Sequence, residues 1–147
     1  MPFIYIVIAF WAGAVLPLQA AMNARLAKAI GGPIWAATFT SLAVAATLIV
    51  AGGLLLRTAP RTADLPSVPW WAWLSGICGA IFLGGTTFAI PKLGAANLVA
   101  LVMAGQIICA MMLDSFGLLG LTAQPVSPQR ILAAAMLVGG AALMSTR

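Results

Sequence analysis

Apolar residues run along this chain in long stretches, and the charges, prolines and glycines gather in the short segments between them. A helix crossing the hydrocarbon of a bilayer needs about 20 mostly apolar residues at a rise of roughly 1.5 Å each. Five stretches meet or approach that length and predict spans at about 3–22, 34–56, 70–90, 97–119 and 130–145. The first break carries Arg25, Lys28 and Gly31-Gly32; the second holds Arg57, Arg61, Asp64 and three prolines. Pro91-Lys92-Leu93-Gly94 forms the third, and Gly120 to Gln129 the last. Trp70, Trp71 and Trp73 open the third span, where clustered tryptophans read as an interfacial belt; Tyr5 and Trp35 take the same reading. The fifth span is short, about 15 residues or some 22 Å, so Arg130 and Arg147 must snorkel or the bilayer must thin. An interfacial helix is the alternative there, but no polar face stands opposite its apolar residues. Membrane strands would be about ten residues long with strict alternation, which these runs lack. The expected fold is all-α: a polytopic membrane protein with five transmembrane helices in a single domain over residues 1–147.

Composition sharpens this. Of 147 residues, 63% are hydrophobic and 6% charged, whereas a soluble domain carries roughly 25% charged residues. A water-soluble globule of this size could not bury so much apolar surface, so the lipid bilayer is the expected solvent. The net charge of +5 comes from seven basic residues scattered singly. They make no continuous face for a phosphate backbone, and no nucleic acid partner is expected. There is no His; Cys78 and Cys109 lie inside apolar runs and read as small hydrophobes, so neither a metal nor a disulfide is expected. No nucleophile–base pair, phosphate loop or metal spacing stands out, which leaves no enzyme, catalytic residue or cofactor to expect. The first apolar run has no Lys or Arg ahead of it and reads as a retained span, not a cleaved signal.

Small residues recur at helical spacing: Ala37, Ser41 and Ala45 in the second span, Gly76, Ala80 and Gly84 in the third, Ala135 and Gly139 in the fifth. In lipid such stripes let backbones approach closely, so these are the expected helix-packing positions. Orientation is weakly specified. With five spans, Arg57, Arg61 and Arg130 share one side, and Arg25, Lys28, Lys92 and Arg147 the other, a difference of about one charge for the positive-inside rule to act upon. Either a partner fixes one orientation, or the chain inserts both ways. Two copies paired antiparallel would then build the inverted-repeat architecture that many transporters encode in one chain.

Four stretches carry a family resemblance. Pro17-Leu18-Gln19 with Asn23-Ala24-Arg25-Leu26 comes first, then Val68-Pro69-Trp70-Trp71-Ala72-Trp73, then Pro91-Lys92-Leu93-Gly94-Ala95-Ala96. Ala104-Gly105-Gln106 followed by Asp114-Ser115-Phe116-Gly117 completes the set. In this order the chain resembles the drug/metabolite transporter superfamily, and within it the five-span YdcZ-type family, over nearly its whole length. The resemblance implies a bacterial inner-membrane, multi-pass protein related to exporters of small polar or amphipathic molecules, in a family known for dual-topology homodimers. Small multidrug resistance transporters exchange protons and cations through a Glu on their first span. This first span contains no acid.

Ionisable groups in hydrocarbon are costly, so each needs a reason. Asp114 is the only acid within a predicted span. Gln106 lies two four-residue steps earlier, on roughly the same flank. Together they read as cavity-lining residues with Asp114 accepting a cation or proton; alternatively Asp114 caps a neighbouring helix or pairs with Arg130. In the first span Trp11, Val15, Gln19 and Asn23 step by four and fall close to one face, with a kink expected at Pro17 between Val15 and Gln19. Trp11, Gln19 and Asn23 are candidate substrate contacts, though Gln19 also suits interhelical hydrogen bonding and Asn23 the end of the span. Thr38, Thr40, Ser41, Thr86 and Thr87 are expected to bond their own helix carbonyls.

The resulting expectation is a drug/metabolite-type exporter of an unknown small molecule, acting by alternating access as an antiparallel homodimer of ten helices. A non-transporting membrane assembly or accessory protein, or half of an obligate hetero-dimeric transporter, is the alternative.

Overall fold

The computed structural model describes residues 2–57, 60, 63 and 65–146. Arg61 and Arg147, which enter the charge balance above, and Asp64 lie outside the described residues. The described chain is all-helical: α1 (Pro2–Ile30), α2 (Pro33–Leu56), α3 (Ser75–Leu93), α4 (Ala95–Phe116) and α5 (Pro128–Ser145), with short 3₁₀ turns at Leu65–Ser67, Trp70–Leu74 and Leu118–Gly120. Five helices are long and apolar enough to cross a membrane, the third counted from Trp70 to Leu93. Only 0% to 17% of the residues in each helix's most apolar stretch are buried. The chain's own packing therefore leaves most of that surface for lipid or other copies.

The contacts divide the chain into two compact units, 1–92 and 93–147. In the first, α1 and α2 form a tight hairpin. α1 runs on to Ile30 instead of stopping at Met22, because Ala24, Leu26, Ala27 and Ala29 interleaved with Arg25 and Lys28 are all strong helix formers. It stops where Gly31 (φ 92°) and Gly32 (φ 133°) take conformations other residues resist, and the Gly32 N–H closes the end on the Ala27 carbonyl at 2.9 Å. Pro33 then starts α2, where a missing N–H costs nothing. Burial in this hairpin concentrates near the turn: Ala20, Asn23, Ala36 and Ala37 are buried, whereas residues 3–16 and 41–50 are exposed throughout. α1 stays helical through Pro17. On α3, Thr86, Thr87 and Ile90 are buried, and the helix continues through Pro91 to Leu93, not ending near Ile90. So near the terminus, Pro91 removes a single late hydrogen bond.

In the second unit α4 and α5 pack together as an antiparallel pair. α4 ends at Phe116, not Leu119, because Gly117 adopts φ 58° and its N–H bonds the Leu113 carbonyl. Ser127 caps α5 by accepting from the Arg130 N–H, and Pro128 occupies the first turn, so α5 begins slightly before the expected position. Within the chain α5 buries Ala134 and Ala141, whereas Ala135 and Gly139 are exposed. Gly76 and Ala80 are exposed and Gly84 half-buried; of the second-span stripe, Ala37 is buried while Ser41 and Ala45 are exposed. The stripes expected from spacing are thus mostly outward-facing within one copy. A four-residue spacing picks out a small-residue face but not which side of the helix meets its neighbour.

Candidate functional site

Two polar clusters stand out, one in each unit. In the first, Thr40 on α2 donates its hydroxyl to Asn23 Oδ1 on α1 at 2.6 Å. Thr40 is thereby a correction to the expectation of back-bonding: it lies on the face of α2 that meets α1, so an acceptor across the interface is in reach. Thr38, by contrast, bonds the Ile34 carbonyl at 2.9 Å, and Thr86 and Thr87 bond carbonyls one turn back at 2.8 and 2.7 Å. Asn23 is 4% exposed and does not mark a helix end, since α1 continues beyond it. A separation of 2.6 Å suits O–H···O and is short for N–H···O, which places the carboxamide oxygen toward Thr40. The amide nitrogen, Nδ2, then points into a buried position with no hydrogen-bond partner. Thr40 lies between four and five residues, about 7 Å, from the middle of α2, so the pair belongs at hydrocarbon depth.

Along the expected α1 face burial rises toward the turn: Trp11 is exposed, Gln19 half-buried and Asn23 buried. Gln19 lies one turn from Asn23 on that face, so the two carboxamides are neighbours. Pro17, lacking an N–H, leaves the Gly13 carbonyl without its helical donor.

In the second unit Asp114 occupies the last turn of α4, closer to its end than the sequence suggested. Its Oδ2 accepts from Arg130 Nη1 at 3.2 Å, and Arg130 Nη2 also donates to Gln124 Oε1 at 3.1 Å. The Gln124 N–H closes the ring on the Asp114 carbonyl at 2.8 Å. An acid at a helix C-terminus and a base at the next helix N-terminus each oppose the helix dipole. Facing one another, they offset that cost. The ion pair is roughly half exposed. Gln106, two turns earlier, is exposed and does not join this cluster. The structure therefore brings Asp114 together with Arg130 and Gln124, and Asn23 together with Thr40.

A cleft of about 450 Å³ lies at the opposite end of the α4–α5 pair, lined by Leu93–Asn97 and by Leu143, Met144 and Thr146. Its Thr146 hydroxyl is already committed to the Leu143 carbonyl at 2.6 Å. Among the described residues no group of His, Cys, Asp and Glu could hold a metal ion. Sequence reasoning missed Thr40 and Gln124. Thr40 had a signal available, being a hydroxyl on the same α2 face as Ala36 and Ala37. Gln124 is placed by the loop's path, which spacing does not encode.

Five apolar helices with sparse polar contacts between them define an integral, multi-pass membrane protein. Comparison with known proteins refines this: the family described as "Putative inner membrane exporter, YdcZ" matches residues 4–143, and the chain belongs to that family. It is also similar to Inner membrane protein YdcZ of Escherichia coli strain K12, at 33% identity over 81 residues, covering 55% of this chain. That match spans 54% of the relative, so the chain aligns with about half the length of the curated relative. No solved structure matches. The protein is accordingly a multi-pass protein of the inner membrane.

Proposed function

We propose that this chain is an exporter of small polar or amphipathic molecules, working by alternating access as an antiparallel homodimer. Family membership supports the transport class. The observation that carries the assembly is the near balance of basic residues, with Arg57, Arg61 and Arg130 on one side and Arg25, Lys28, Lys92 and Arg147 on the other. The positive-inside rule then gives little preference for either orientation. Two inverted copies would supply ten helices, with the substrate path between the halves walled by the first four spans of each. Trp11, Gln19, Asn23 and Gln106 would line it. The fifth spans would serve packing and dimerisation, for which the exposed small residues Ala135 and Gly139 are suited.

Asp114 is the coupling residue in this reading. A proton on its carboxylate removes the charge that holds Arg130 and loosens the joint between α4 and α5, so proton uptake would change how that joint moves. The transport claim is tested by comparing the small molecules that accumulate outside cells with and without overproduction of the chain. The reading requires at least one molecule to accumulate outside only with the chain; identical profiles would contradict it. For that molecule, Asp114→Asn should abolish the dependence of export on external pH, and an unchanged dependence removes Asp114 from coupling.

A further inference from the structure

Asn23 Nδ2 is the one buried side-chain nitrogen or oxygen without a hydrogen-bond partner among the described residues. A buried donor left unpaired carries its full desolvation penalty, and in hydrocarbon no water relieves it. If Asn23 served only to hold α1 against α2, its oxygen alone would do so, and the amino group would be a standing liability. We infer that Asn23 Nδ2 is the substrate-contacting donor of the transport path, and that the molecule it takes is uncharged and presents a carbonyl oxygen. This rests on the transport reading and names its substrate class.

The chemistry follows from the surroundings. Thr40 fixes the amide oxygen at 2.6 Å, so the carboxamide cannot turn without losing that bond, and it offers an incoming molecule a donor only. Gln19, one turn away, is half-buried and supplies a second carboxamide with both a donor and an acceptor. A primary or secondary amide matches this pair, its oxygen toward Asn23. Charge is excluded by what is missing from this face. The line Trp11, Val15, Gln19, Asn23, Ala27 carries no ionisable group, Arg25 and Lys28 leave α1 in other directions, and both are exposed. Asp114, the one acid among the described residues, is held by Arg130. An ion brought to Asn23 would lose its hydration with no opposite charge to meet it.

Nδ2 is sealed in this conformation. The hairpin's packing ends just beyond it, since Ala20 is buried while residues 3–16 and 41–50 are exposed. A small separation of α1 from α2 at that edge opens the donor. A molecule that satisfies Nδ2 stabilises the opened form relative to the sealed one, which is the differential affinity that ligand-driven access requires.

Benzamide, benzoate and benzamidinium share one planar frame and differ in charge and in their capacity to accept a hydrogen bond. Thermal unfolding of the full chain in nanodiscs, followed by tryptophan fluorescence, is measured against rising concentrations of each. Benzamide should raise the midpoint in a concentration-dependent way, while the two ions leave it unchanged. Asn23→Leu should melt no lower than the unsubstituted chain, because Thr40 can turn its hydroxyl to the Ala36 carbonyl. It should also weaken the apparent Kd of benzamide by about tenfold, the factor corresponding to one hydrogen bond. Asn23→Ala removes the same amide with less bulk and should weaken benzamide equally if leucine overpacks the interface. The inference is overturned if either ion stabilises as well as benzamide, if none of the three stabilises, or if benzamide acts undiminished on both variants. Failure of the export comparison with benzamide still held through Asn23 would remove transport and leave the site. The reverse pattern overturns this inference and leaves the transport reading standing.

Discussion

Asn23 on α1 and Thr40 on α2 meet close to the turn of the first hairpin. Their contact joins the two arms of the first hairpin by a single hydrogen bond at 2.6 Å, in a region otherwise closed by Ala20, Ala36 and Ala37. Side-chain bonds between membrane helices contribute about 0.6 kcal/mol on average, and an orphaned buried group costs more. Thr40→Val leaves both polar atoms of the Asn23 carboxamide unpaired and should lower stability by about 1 kcal/mol. Adding Asn23→Leu to it should restore most of the loss, as measured by reversible unfolding in mixed micelles. Equal stability of Thr40→Val and the unsubstituted chain would show that the pair contributes nothing. The four-residue step from Trp11 to Asn23 was legible in the sequence, as was Arg130 as an alternative partner for Asp114. The Thr40 contact was not, because a threonine in an apolar helix ordinarily satisfies itself one turn back, and only the facing helix decides otherwise.

At the scale of elements, the ends of the helices are set by backbone chemistry that hydropathy does not weigh. Apolar character continues from Phe116 through Leu118 and Leu119, so the expected span ran on, yet Gly117 closes α4 with a left-handed residue. A Cβ at Gly117 would stand 3.1 Å from the Ala123 Cβ and from the Leu121 carbonyl oxygen, in a conformation that already disfavours side chains. Gly117→Ala should therefore cost about 1–2 kcal/mol and loosen the loop that carries Gln124 to Asp114. Hydrogen exchange should quicken at Leu121, Gln124 and the first turn of α5; unchanged exchange there would contradict the capping account. In α1 the helix outruns the apolar stretch instead. Asn23, Arg25 and Lys28 look like the end of a span, but alanine and leucine between them keep the helix intact until the paired glycines. Existence and number of helices follow from apolar length, whereas their ends follow from glycine and proline geometry and their packed faces from the neighbours they meet.

For the whole molecule, the decisive quantity is the balance of charge across the bilayer. Few charged side chains mean that each carries much of the orientation signal, and a difference of about one between the two sides leaves that signal weak. The helices, meanwhile, retain extensive apolar surface beyond their own contacts. These facts support the proposal that copies insert in both directions and complete the transporter by pairing inverted. Reporters fused to the C-terminus, one active only on the cytoplasmic side and one only on the outer side, measure this directly. Both should be active at comparable levels in the unsubstituted chain, and adding two lysines beside Lys92 should drive the population to a single orientation. A C-terminus found on one side alone, with the other reporter silent, would contradict the account.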